Sequence, residues 1–143
     1  MDRNRIFLAW AGGSVVAMVV GSLGPWARIV GSDSLRGTVG DGWTVIAAGA
    51  VAAALILFHE RRRRGIGPLL VALLAALIAS ASVIYDWADL HRVATDWPGL
   101  VHSAWGIYLA TAGSVSLAVA CVALVVTAPA PQKVPAAAAE PGD

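Results

Sequence analysis

The chain has 143 residues, 58% of them hydrophobic and only 13% charged. A soluble domain has about a quarter of its residues charged and just under half apolar, so this composition excludes an ordinary soluble fold and points to the membrane. The formal net charge of +1 is not that of a nucleic-acid binder, because the basic residues gather in one short loop rather than a stripe.

Met1 to Arg5 is a short basic start, and the apolar run from Ile6 to Leu23 can cross a hydrocarbon core of about 30 Å with its flanks. A cleaved signal peptide is the competing reading. The run is longer than the usual apolar region of about 7–15 residues and no A-x-A-like site follows it, so an uncleaved first span over about 6–24 is expected. Within it Ala9, Gly13, Ala17 and Gly21 recur every four residues. Such spacing predicts a small-residue face for packing against another span, in this chain or in a second one.

Gly24-Pro25-Trp26 ends the span. Residues 27–30 and 35–39, around the polar Gly31 to Ser34, read as a short β-hairpin or as an irregular connection of the same length. The second span, 43–58, is short, and the stems of the arginines after it can extend it by snorkelling. Its many alanines predict a thin helix in the middle of a bundle.

His59-Glu60-Arg61-Arg62-Arg63-Arg64 is the most polar stretch of the chain. Arginine in a short loop is retained on the cytoplasmic side, so Arg61, Arg62, Arg63 and Arg64 fix the topology, with both termini inside. On that arrangement the inner side sums to +3 and the outer side to −2, which together give the formal +1. Four adjacent basic residues also suit contact with anionic lipid head groups.

Pro68, in a first turn where its missing N–H is not needed, opens the third span, 66–86. Ala72, Ala76 and Ser80 repeat the four-residue spacing. Beyond Tyr85 the sequence carries Asp86, Trp87, Asp89, His91 and Arg92, a helix end that would project from the bilayer. Asp89 and Arg92 stand at a pairing distance of three residues. Thr95 to Gly99 breaks the helix, and residues 100–104 lead into the fourth span, 105–127. There Gly106, Ala110, Ser114 and Ala118 form another small stripe, and Cys121 reads as a small packed residue. As the only cysteine, it excludes an internal disulfide and any Cys-based metal or redox motif. Residues 128–143, rich in Pro and Ala, read as a disordered cytoplasmic tail.

Five of the six tryptophans, Trp26, Trp43, Trp87, Trp97 and Trp105, fall at the outer ends of spans or in the outer loops. Interfacial tryptophan is ordinary, but the asymmetry suggests an outer surface for a partner or apolar ligand, with Asp86 and Asp89 beside it. No zinc-ligand spacing, nucleophile constellation or cofactor motif is present, so no enzyme is expected. Nor does an ionisable residue fall near the centre of any span, as a proton or ion pathway would require. Ser14, Ser80, Ser82, Thr111, Ser114 and Ser116 supply the polar atoms there, and each can bond its own helix backbone.

The basic start, Gly24-Pro25-Trp26, the Asp41-Gly42 turn, and Gly106-Ile107-Tyr108-Leu109 with Gly113 are similar to motifs of the small four-span membrane proteins common in actinobacteria. That resemblance implies a plasma-membrane protein of a cell with an elaborate envelope. The larger first outer loop also resembles the tetraspan arrangement of claudins, but the claudin loop cysteines and tryptophan motif are missing. The expected fold is an all-α, four-helix membrane bundle. The expected function is that of a non-catalytic accessory or scaffolding subunit of an envelope or transport complex. A homo-oligomeric channel or carrier for a neutral or apolar solute, and an outer-face sensor or lipid-binding protein, are the alternatives.

Overall fold

The computed structural model describes residues 3–32, 34–62 and 65–128. Four helices follow one another: α1 (Arg3–Leu23), α2 (Gly42–Arg62), α3 (Gly67–Asp96) and α4 (Trp105–Thr127). All four are long and apolar enough to cross a membrane. The chain is a multi-pass membrane protein with an all-α bundle. Arg63, Arg64, Asp33 and residues 129–143, with the tail expected there, lie outside the described residues.

The helices form a ring, α1 beside α4, α4 beside α3, α3 beside α2, and α2 closing back on α1. Consecutive helices run in opposite directions, so one end of the bundle carries both loops that precede α2 and α4. The other carries Arg61 and Arg62. These are the sheet end and the arginine end below.

α2 is longer than 43–58: it runs unbroken from Gly42 through Arg62, 21 residues or about 31 Å. The added residues, His59 to Arg62, are polar, so the apolar part still ends at Phe58, and the Arg62 guanidinium lies 5.3 Å above the Phe58 ring. Nor is α2 the central helix. Ala47, Ala50 and Ala54 are exposed, and α4 is the most buried of the four. Small side chains make a helix thin but do not choose its neighbours. α4 has a glycine-tight contact with α1, and α2 has alanine on every side.

α3 has 30 residues, about 45 Å. A 30 Å hydrocarbon core needs roughly 20 of them, so its last turns project at the sheet end. It stops where Trp97-Pro98-Gly99 turns the chain, with Gly99 at φ +82°, a left-handed conformation that glycine adopts without steric cost.

Three strands cap this end: β1 (Pro25–Ile29), β2 (Leu35–Arg36) and β3 (Val101–Ser103), in the order β2-β1-β3 and antiparallel throughout. The hairpin is present, although β2 is only two residues long and passes into a 3-10 turn at Gly37–Val39. The third strand is new relative to the sequence reading. Ala27, Arg28 and Ile29 pair with Ser103, His102 and Val101. Val30 N donates to Leu100 O at 2.9 Å and Ala104 N to Trp26 O at 2.8 Å. The two loops are thereby stitched into one unit. Each backbone hydrogen bond contributes about 1 kcal/mol net, and together they fix loops that would otherwise move separately.

The core holds few large side chains. Met18, Val45, Leu69, Val83, Ile107 and Leu117 are fully buried among Ala52, Ala72, Ala76, Ala79, Ala110 and Ala120. Ala72 and Ala76 thus pack as the sequence predicts, Ser80 is buried with its hydroxyl 2.9 Å from Ala76 O, and Cys121 is a buried free cysteine.

Candidate functional site

Three regions contain most of the residues singled out in the sequence: the α1–α4 seam, the sheet cap, and the sheet end of α3 with its neighbour α4.

In the seam the two backbones touch. A Cβ on Gly21 would collide with the Ala110 backbone, one on Gly106 would lie 2.6 Å from Pro25 O, and one on Gly113 would lie 2.7 Å from Met18 N. Ser114 is buried and bonds Thr111 O at 3.0 Å. The stripe on α1 is not the one that a four-residue spacing suggested. Gly13 is exposed with nothing near a would-be Cβ, Ala17 is half-buried and Ala9 exposed. The buried line is Ala11, Ser14, Met18 and Gly21. Four residues turn a helix by about 400°, so strict spacing by four drifts about 40° each step. From Ala9 to Gly21 the drift is about 120°, and only one end of the line faces α4. Alternating steps of three and four hold a face, as in positions 11, 14, 18 and 21.

Towards the arginine end the seam is polar. Trp10 Nε1 donates to Ser116 Oγ at 2.7 Å, and Ser116 Oγ is 2.9 Å from Ser14 Oγ. Ser14 also lies 3.0 Å from Trp10 O. Ser114 and Ser116, the polar atoms available for a pore axis, are thus spent on intramolecular contacts. This cross-helix link was not anticipated, because nothing in sequence places Trp10 opposite a residue 106 positions away.

Trp26 does not belong to an outer surface. It is buried, and its Nε1 donates to Gly21 O at 3.0 Å. Gly37 packs flat on the indole, where any Cβ would collide with the ring. The register shift in β1 between Pro25 and Ala27 lets both Trp26 and Ala27 point inwards, while Arg28 and its partner His102 stay exposed. An inward β-bulge of this kind re-aims a side chain, and Trp26 becomes the plug between sheet and bundle.

The other four tryptophans are exposed. Trp105 lays one side of its ring over Gly24. Trp43 and Trp97, at the sheet end, are over 60% exposed. Trp87 stacks loosely with His91, ring centroids 6.4 Å apart. Between α3 and α4 a cleft of about 380 Å³ is lined by Trp87, Tyr108, Thr111, Ala112 and Val115.

Asp86 is only partly outward. The Asp41 backbone amide lies against its carboxylate, so Asp86 reaches across to the first turn of α2. That contact satisfies one N–H at the start of α2, but it also sets the carboxylate close to that of Asp41. Its Oδ2 is buried without a hydrogen-bond partner. Asp89 is exposed, and among the described residues no ion pair joins it to Arg92. Two solvated side chains gain too little from pairing to hold one geometry. Arg61 and Arg62 are exposed at the arginine end. Among the described residues no group of three or more His, Cys, Asp or Glu converges.

Comparison of the chain with protein-family models, with curated proteins and with solved structures finds no match.

Proposed function

We propose that the chain is a non-catalytic accessory or scaffolding subunit of the plasma membrane, docking a larger envelope or transport complex through its sheet end. In this reading the sheet end faces outwards and both termini, with the arginine loop, face the cytoplasm. The observation that carries it is a rigid cap presenting uncovered apolar side chains. Trp43, Trp97 and Val39 are each more than 60% exposed, beside loops that the three-stranded sheet holds in place. Exposed tryptophan on a preorganised surface is the usual anchor of a protein interface. The glycine-tight seam and filled core support a packing role over a conduit within one chain. The similarity to small actinobacterial four-span proteins is consistent with an envelope partner.

Native purification in mild detergent followed by intact-particle mass spectrometry tests this. A stoichiometric larger partner is expected, and Trp97→Ala combined with Trp43→Ala should release it. A lone homo-oligomer or monomer would overturn the reading. Labelling of Ser34→Cys from outside intact cells tests the orientation; protection of that site until the membrane is opened would reverse it.

A further inference from the structure

The cleft between α3 and α4 has a length and a chemistry that select its occupant. Trp87 lies 20 residues into α3, about 30 Å from its start and so at the sheet-side edge of the hydrocarbon. On α4 the lining begins at Tyr108, one turn in, and ends at Val115, near the helix midpoint. From Tyr108 to Val115 is about 10 Å along the helix, a third of the thickness of a 30 Å core. The cleft therefore lies within one leaflet, below the interface and short of the far side of the midplane. A partner's transmembrane helix would need a groove continuing across both.

Its lining offers no free hydrogen-bonding group within the hydrocarbon. The only hydroxyl at that depth, Thr111 Oγ1, bonds Ile107 O at 2.7 Å, and Ala112 and Val115 are apolar. Polar tips occur only at the rim, on Trp87 and Tyr108, where amphipathic rings sit at head-group level.

We propose that this cleft is a binding site for one acyl chain of a phospholipid from the leaflet next to the sheet. In a bilayer the chain gains nothing from leaving water, so preference rests on packing against a fixed groove. Specificity lies in the chain rather than the head group.

The test adds dioleoyl phosphatidylglycerol or dioleoyl phosphatidylcholine to delipidated full-length protein and reads retained lipid by native mass spectrometry. One adduct is expected with either head group. Ala112→Phe fills the cleft and should lower retention about fivefold, the scale of several lost carbon–carbon contacts. Ala47→Phe, on an exposed face of α2, should not. Val115→Phe serves as a second cleft-filling variant if Ala112→Phe lowers the melting temperature. The proposal is overturned if no discrete adduct forms, if the cleft-filling variants keep it, or if Ala47→Phe loses it equally. It is also overturned if they break a protein complex while lipid retention stays unchanged, which would assign the groove to a partner helix.

Discussion

α4 meets its two neighbours in opposite ways. Against α1, Gly106, Ala110 and Gly113 remove side-chain bulk, so the backbones touch at Gly21 and Met18. Against α3 at the sheet end, the exposed Trp87 and Tyr108 line a cleft with Thr111, Ala112 and Val115. Both seams lie in the same apolar medium, where association rests on packing rather than on the hydrophobic effect. The size of a few side chains decides whether a seam is closed or becomes a place for something else.

Substitutions can break that contrast, and the largest effect is expected at its tightest point. Gly21→Leu should drive α1 from α4 and cost roughly 3 kcal/mol or more, measured by thermal unfolding in detergent. Gly13→Leu, on the same helix, should change stability by less than about 0.5 kcal/mol. Equal losses for the two would mean that the seam runs along the four-residue stripe after all. Trp26→Ala should cost about 3–5 kcal/mol by leaving a cavity under the sheet and should remove a buried, blue-shifted component of the fluorescence. Trp43→Ala should do neither. Asp86→Ala should change stability by less than about 1 kcal/mol, because the lost contact with the Asp41 amide is offset by removing a partly buried carboxylate beside that of Asp41, read from the same melting curves; a larger loss would make that contact essential to the start of α2. Smallest of all, Ser116→Ala should cost roughly 0.6 kcal/mol, the average for a hydrogen bond between helices in a membrane. A tightly bound solute in place of that loss would reopen the case for a pore.

The tryptophan set divides along the same physical line. Sequence put Trp26 with Trp43, Trp87, Trp97 and Trp105 because all five fall at one end of the bundle. Burial of Trp26 needs a bulge in β1, a flat surface at Gly37 and an acceptor at Gly21, three features contributed by separate stretches of chain. The pairing of β3 with β1 is equally non-local. Val101 to Ser103 is too short to show a strand pattern, and its partner lies more than 70 residues earlier. Trp97-Pro98-Gly99, in contrast, acts on its own backbone, and the end of α3 was legible from those three residues.

Sequence by itself determined four apolar helices, a projecting end on α3 and the turn after it, and left the hairpin before α2 open against an irregular connection. Each depends on hydrophobic length or on local backbone preference. Tertiary structure alone decided which face of α1 is buried, that α4 rather than α2 is the most enclosed helix, and that Trp26 is a plug. It also made the cleft beside Trp87 from residues on two helices. Length and propensity are sums along the chain, whereas a seam, a plug or a cleft exists only where surfaces distant in sequence meet.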